Sequence, residues 1–389
     1  MPIQLKINST KVPIHVWTDD VESEALNQAT NLANYMPVYD HVALMPDVHS
    51  GYGMPIGGVL PLVDAIYPFG VGVDIGCGIR AIRTNVKDLD EDTHKKIRSD
   101  IHKNIPVGFS KRAVPLGAQL FDKELFPATP FMRSIVNDVR PSLGTLGGGN
   151  HFIEIQKGSD GFIWAMIHSG SRNAGKITAD HYHKLAVTNG VVPNGIKELA
   201  YFAKGQELFG EYTVAMNWCL DFAYRNRCLM MDYVIKAFED NIHGKPFETL
   251  AEFDVHHNYA EVYDHVNVGT VYLHRKGATS AKRGAWGLIP GSMGASSFVV
   301  EGLGNADSFD SCSHGAGRKM SRGAAKKNIS VEDYTASLEK MGLTVTDRDI
   351  HIDEAPGAYK DVHEVMANQN DLVKIRVELK PYQFPAIKG

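Results

Sequence analysis

Residues Val71 to Gly78 place a carboxylate, Asp74, and a thiol, Cys77, three positions apart in a glycine-rich segment. Such a loop lets both side chains converge on one ion. A thiolate beside a carboxylate suits Zn, Mn, Fe or Co better than Mg or Ca, which take oxygen ligands. The competing reading is a polar turn with a buried cysteine. Three histidines extend the set. Gly147-Gly148-Gly149-Asn150-His151 precedes an apolar run containing Glu154, and Ile167-His168-Ser169-Gly170-Ser171-Arg172 closes the next one. Val255-His256-His257-Asn258-Tyr259 supplies the third. Each of these alone is more simply a satisfied structural residue, but strand-loop junctions commonly present ligands. Together with Asp74 and Cys77 they could fill two neighbouring metal positions.

Ser311-Cys312-Ser313-His314-Gly315-Ala316-Gly317-Arg318 is the most unusual segment. Small neighbours open His314 to a ligand, and Arg318 places a phosphate-binding cation four residues on. The plain alternative is a flexible turn. Pro290-Gly291-Ser292-Met293-Gly294 could bring backbone close to a nucleotide. Gly170 to Lys176 has the spacing of a phosphate-binding P-loop, yet the next residue is Ile177, where a hydroxyl should hold Mg²⁺.

These segments need a scaffold. The chain has 389 residues, 43% of them hydrophobic, enough for one large core or two ordinary ones. A formal charge of −5 excludes a protein that coats nucleic acid through its overall charge, and leaves room for a local basic groove. The uncharged stretch Gly284 to Val300 is too short and too broken by glycine and Pro290 to cross a membrane. Met1 to Lys6 lacks a charged start followed by an apolar block, so a cytoplasmic location is expected. Cys77, Cys219, Cys228 and Cys312 form no CxxC pair, which argues against a disulfide framework or a zinc ribbon.

Apolar spacing predicts a long helix over Leu208 to Phe238 and a second over Asp90 to Asn104. A third should be capped by Ser330, end at Gly342, and bury Val331, Tyr334, Leu338 and Met341. Alternation predicts a half-buried antiparallel strand over Leu372 to Lys380, with further strands at Phe152 to Ile155, Phe162 to His168 and Thr270 to Leu273. Strands and helices do not alternate regularly, so the expected class is α+β: one large domain over 1–389, of mixed and antiparallel sheets with flanking helices, carrying a helical insertion near 196–240.

The ordered motifs resemble the RtcB-type RNA-splicing ligases along nearly the whole chain. They are Pro46 to His49, Val73 to Gly78, Gly148 to Glu154, His168 to Arg172, His257-Asn258, Ile289 to Gly294, Ser313 to Arg318, Glu354 to Pro356, Ala358 to Asp361 and Lys388-Gly389. The resemblance implies that Asp74, Cys77, His151, His168 and His257 bind two Mn²⁺ ions with Cys77 between them. It implies that His314 attacks the α-phosphorus of GTP to form a histidine-GMP intermediate, with Asp47 standing behind the residues in direct contact. The implied guanylate pocket comprises Asn150, His151, Phe152, Ile153 and Glu154; His257 and Asn258; Pro290, Gly291, Ser292, Met293 and Ser297; and His314, Gly315, Ala316, Gly317, Tyr359 and Lys388. GMP would pass to an RNA 3′-phosphate, derived where necessary from a 2′,3′-cyclic end. An RNA 5′-hydroxyl would then attack the RNA-3′-pp-5′-G end. Arg172 and Arg318 are candidates for holding RNA phosphates, and an archease-type activator is a candidate partner whose need the sequence leaves open. Two other readings stand beside this one. A dinuclear metallo-phosphoesterase would need no GTP, and a non-catalytic RNA-end binding protein would leave the ends chemically unchanged.

Overall fold

In the computed structural model, which describes residues 2–121 and 129–389, two sheets share a core in which Met45, Val59 and Leu273 of one meet Phe298, Val300 and Val373 of the other. The six-stranded sheet runs in the order β1 (Leu5–Ile7), β2 (Ile14–Val16), β3 (Val42–His49), β4 (Ile56–Val63), β12 (Gly269–Lys276), β11 (Asn258–Val266), and is mixed because β2 and β3 pair in parallel. The seven-stranded sheet runs β10 (Thr249–His256), β6 (Gly78–Thr84), β8 (Ile163–Ser169), β7 (Phe152–Gly158), β17 (Val373–Pro381), β15 (Ser297–Gly302), β14 (Trp286–Ile289), antiparallel throughout. Two short ladders, β13 (Ala278–Ser280) with β16 (Ser311–Ser313) and β5 (Ala65–Ile66) with β9 (Phe202–Ala203), complete an α+β domain flanked by helices.

The long helix α6 spans Glu207–Asn241 and packs on β6 and β8 and against α3 (Glu91–Asn104) and α5 (Asn173–Asn189). Strand alternation sorts the central sheet into two faces. Ile153, Ile155, Ala165 and Ile167 join Met230, Met231 and Val234 of α6 in one core. Phe152, Trp164 and Met166 turn the other way, toward Val299 and Leu379. Burying one such large apolar side chain stabilises the fold by roughly 1.5–3 kcal/mol. Helix α1 (Ser23–Tyr35) covers the six-stranded sheet through Ala25, Ala29 and Leu32.

Two expectations need correction. Ser330 does cap the next helix, accepting the Asp333 amide at 3.0 Å, and Tyr334 and Leu338 are buried. The helix, Val331–Glu339, is too short to bring Met341 into register, so Met341 and the first-turn Val331 are exposed. In β17 the alternation breaks at a bulge, where Val299 pairs with Val377 but Val300 pairs with Ile375. Ile375 is consequently exposed. Among the described residues no helix is long and apolar enough to cross a membrane, and all four cysteines are free.

Candidate metal and nucleotide site

β10, β6, β8 and β7 are neighbours in that order and antiparallel, so the C-terminal ends of β10 and β8 lie beside the N-terminal ends of β6 and β7. His257 follows β10, Cys77 precedes β6, His168 is the penultimate residue of β8, and His151 precedes β7. Four strands thereby deliver four donors to one edge. The Cys77 Sγ lies 3.2 Å from His168 Nε2 and 3.5 Å from His151 Nε2, and the three ligand atoms fall within 4.8 Å of one another. Asp74 Oδ2 is 3.0 Å from His151 Nε2, and the His168 and His257 ring centroids are 5.2 Å apart. Gly170 makes room for Asp74, because a Cβ there would collide with both carboxylate oxygens.

The electrostatics of this donor set suit a cation. Burial, reinforced by Asp74, pushes the Cys77 thiol well above its ordinary range, so its proton is lost readily only to a bound positive ion. Burial, with the neighbouring rings, holds His168 and His257 well below 6.5, as neutral imidazoles with available lone pairs. His257 Nδ1 is buried without a hydrogen-bond partner. His151 Nδ1, in contrast, meets the Leu146 carbonyl at 2.9 Å, which fixes its ring and turns Nε2 to the cluster.

Behind the cluster stand two residues of α6 that sequence reading passed over. Fully buried Asn226 accepts the amides of Gly144 and Thr145 at 2.7 and 3.1 Å, and its Nδ2 donates to Thr145 O, Ser169 Oγ and Gly170 O. Arg227 pairs with Asp254 at 2.7 Å and donates to the Gly76 and Ser169 carbonyls at 2.9 and 3.0 Å. Together they lock the loops that carry Asp74, Cys77 and His168. The signal was present in the helix: Phe222, Ala223, Asn226, Arg227, Met230, Met231 and Val234 form one stripe at helical spacing, and polar members of a buried stripe need partners.

His314 follows β16 and meets the cluster from the six-stranded side, its ring centroid 4.7 Å from that of His257. Asp47 on β3 is completely buried, and its Oδ2 receives the His314 ring Nδ1 at 2.7 Å, the His314 amide at 3.0 Å and the Gly315 amide at 3.2 Å. Burial alone would raise the Asp47 pKa, but His314 outweighs it and holds the carboxyl below its ordinary range. Asp47 therefore fixes the tautomer with the proton on Nδ1 and leaves the Nε2 lone pair free.

His314 lines a cavity of about 430 Å³ that also takes in Asn150, Phe152, Glu154, Pro290 to Met293, Gly315 to Arg318, Tyr359 and Lys388. Ser297 lies behind it, bonded to Gln156 and the Gly291 amide at 3.0 and 3.2 Å, and Gln156 in turn reaches Glu154 at 2.5 Å. Burial pushes the Glu154 carboxyl up to about 7. Glu354 gathers Lys388 at 2.9 Å, Tyr359 at 2.6 Å and Arg322 at 2.6 Å around one wall. Five of the expected pocket residues do not line this cavity: His151 and His257 belong to the donor cluster, Ser297 and Asn258 brace the walls and loops, and alternation turns the Ile153 side chain into the α6 core. Asn258 clamps loops, donating to Asp74 O at 3.0 Å and accepting the Gly277 amide at 2.9 Å. Arg318 is engaged with Tyr359, Glu354 and the Asp353 carbonyl, and Arg172 with Thr145 Oγ1 and the Gly108 carbonyl. The P-loop-like segment does join a strand to a helix, but Asp74 sits against Gly170 where a phosphate would have to lie, and Lys176 pairs with Asp180 at 2.6 Å.

A buried thiol-imidazole-carboxylate cluster beside a histidine-lined cavity of nucleotide size defines an enzyme site of the metal-assisted kind. Residues 28–131 and 123–388 match the family model described as tRNA-splicing ligase RtcB. The RNA-splicing ligase RtcB of Escherichia coli (strain K12) is 40% identical over 412 residues, covering 98% of this chain and 99% of that protein. The RNA-splicing ligase RtcB homolog 1 of Entamoeba dispar is 33% identical, covering 94% and 82%. The tRNA-splicing ligase RtcB of Thermococcus kodakarensis is 32% identical, covering 92% and 90%. The chain belongs to the RtcB ligase family.

Proposed function

We propose that this chain is a cytoplasmic, GTP- and Mn²⁺-dependent RNA ligase that joins a 3′-phosphate or 2′,3′-cyclic phosphate end to a 5′-hydroxyl end, acting as one catalytic domain with residues near 196–240 as a helical insertion. The observation that carries this reading is His314, whose Nδ1 is committed to Asp47 and whose ring lines the enclosed cavity beside the Cys77-His151-His168 cluster. Asp74, Cys77, His151, His168 and His257 would hold two Mn²⁺ ions, which when bound neutralise charge on the transferred phosphoryl groups.

The Nε2 lone pair of His314 attacks the α-phosphorus of GTP. The nitrogen-phosphorus bond forms as the bond to the pyrophosphate oxygen breaks, and Asp47 stabilises the positive charge growing on the ring. An oxygen of the RNA 3′-phosphate then attacks the same phosphorus and the imidazole leaves neutral, giving RNA-3′-pp-5′-G. The 5′-hydroxyl oxygen attacks the 3′-phosphorus, a phosphodiester forms, and GMP departs. Glu154, when ionised, accepts the N1–H and N2–H donors of guanine inside the cavity.

The test is incubation with Mn²⁺ and α-labelled GTP before any RNA is added. Wild type should carry a label released by acid and stable to alkali, and His314→Ala should carry none while keeping its metals. Labelling of His314→Ala, or turnover of phosphorylated RNA ends without GTP, would return the chain to the phosphoesterase reading.

A further inference from the structure

A second cavity, of about 1040 Å³, opens on the other side of the cluster and shares Val73 and Asn150 with the smaller one. Asp74 and His151 lie in its wall, and none of the guanylylation chemistry above uses the rest of it. At its rim stands Phe109, fully exposed despite being one of the most apolar side chains in the chain. From Phe109 and the cations around it, we infer that this cleft binds single-stranded RNA and that Phe109 stacks on a nucleobase of the strand whose end lies at the cluster. The inference rests on the ligase reading.

Phe109 is held at the rim by a defined turn. Ser110 N bonds to Val107 O at 3.1 Å, Gly108 N to Gly147 O at 2.9 Å, and Val107 bridges Gly147. Arg172 fastens the same turn by donating to Gly108 O at 3.1 Å. Gly108 adopts a φ of +61°, which favours glycine and lets the turn present its next side chain outward. The backbone that carries Phe109 is thus tied to Gly147, four residues before His151.

Charge selects the occupant. Lys111, Lys176 and Lys326 line the cleft in a chain whose net charge is −5. The side chains of Lys176 and Lys326 are more than half exposed, with carboxylate partners in Asp180 and Asp353 that a phosphate can displace. Asp353 is itself neutralised by Arg322 at 2.9 Å. An exposed aromatic ring among exposed cations, leading to a centre for phosphoryl chemistry, is the combination that binds single strands, stacking the base and tracking the backbone. A protein partner would be expected to meet a larger apolar patch than one ring.

The experiment uses the full chain with Mn²⁺, GTP and short RNAs carrying 2-aminopurine at one of the three nucleotides next to either end. At one position wild type and Phe109→Tyr should quench the probe on binding, and Phe109→Ala should not. Phe109→Ala should raise the RNA KM about tenfold, with kcat changed by less than about twofold, since stacking one base is worth about that factor. Its rate of GMP labelling without RNA should match wild type. Lys326→Ala should keep the quenching and lower the salt dependence of binding. Unchanged KM and quenching in Phe109→Ala would overturn the inference and leave the ligase reading intact. Slowed labelling in Phe109→Ala would show a structural role instead. Absence of labelling in wild type would overturn the ligase reading, and the stacking assignment with it.

Discussion

The two cavities that flank the cluster are built in opposite ways. The smaller is walled by strands and interlocked side chains: Glu354 holds Lys388, Tyr359 and Arg322, while Gln156 ties Glu154 to Ser297. The larger is rimmed by the Gly108 to Lys111 turn and by the exposed helix-borne lysines Lys176 and Lys326. A pre-organised pocket loses little order on binding and suits one ligand of fixed shape, whereas exposed cations around a groove tolerate many backbones. The difference predicts that changes in the first region strike guanylylation, and changes in the second spare it and strike only the use of RNA.

Asp47→Asn should have the largest effect. It keeps the shape but lets the side chain offer an N–H where the His314 ring needs an acceptor, so the wrong ring nitrogen carries the proton. Labelling by GTP should fall by up to roughly 10⁴-fold, the loss that follows when the aspartate orienting a catalytic histidine becomes asparagine. Single-turnover labelling measures this, and a loss under tenfold would remove Asp47 from the mechanism. Cys77→Ser comes next, because in the proposed two-metal site the thiolate would contribute to both coordination spheres and a hydroxyl is a poor replacement. Metal analysis should show depletion at both positions, with His168→Ala affecting mainly one. Full occupancy in Cys77→Ser would contradict the central placement.

How far the sequence could be read follows the same division. Cys77, His151, His168 and His257 were legible because strand ends and glycine runs mark where donors emerge, and the helices over 208–238 and 90–104 follow from apolar spacing. The α+β class followed from the absence of regular βαβ units. The order β10-β6-β8-β7 was not legible beyond its β7-β8 hairpin, since β6 pairs with β8 and β10 with β6 across some 80 to 180 residues and such pairing leaves no local signature, and that order is what makes the four donors neighbours. Asn226 and Arg227 were missed for a related reason: in a helix read by its apolar face, two polar residues look like a solvated edge until burial shows otherwise. Ile153 was carried into the pocket with its motif, although period-2 alternation alone turns it away from Phe152 and Glu154.

A smaller effect should separate the cavities by pH. Burial lifts Glu154 to about 7, so below that value the carboxyl is protonated and presents guanine with one acceptor fewer. Its ionised fraction rises about tenfold between pH 6 and pH 8. The KM for GTP in the labelling step should fall by a comparable factor over that interval, and Glu154→Gln should flatten the profile. Stability runs the other way. A carboxyl whose folded pKa lies above its ordinary value binds its proton more tightly when folded, so the fold loses stability as pH rises from about 4.5 to about 7 and is then unaffected by this group. A GTP KM independent of pH in wild type would exclude Glu154 as the guanine acceptor.

The smallest effect belongs to Lys176, and it tests whether the sequence spacing around it carries any nucleotide chemistry. In a true P-loop the lysine reaches the terminal phosphates, and its loss abolishes nucleotide use. Here Lys176 lies in the first turn of α5, pairs with Asp180, and lines the larger cavity, while the loop before it is filled by the Asp74 carboxylate. Lys176→Ala should leave GMP labelling within about twofold of wild type and raise the RNA KM by about two- to threefold, the scale of one exposed phosphate contact. Lys388→Ala should do the reverse. Its ammonium is buried against Glu354 and lines the smaller cavity, so its removal should weaken GTP use by at least about tenfold, as expected when one partner of a buried charge pair is lost. Loss of labelling in Lys176→Ala with none in Lys388→Ala would exchange the roles of the two cavities, placing the nucleotide in the larger and the polynucleotide in the smaller.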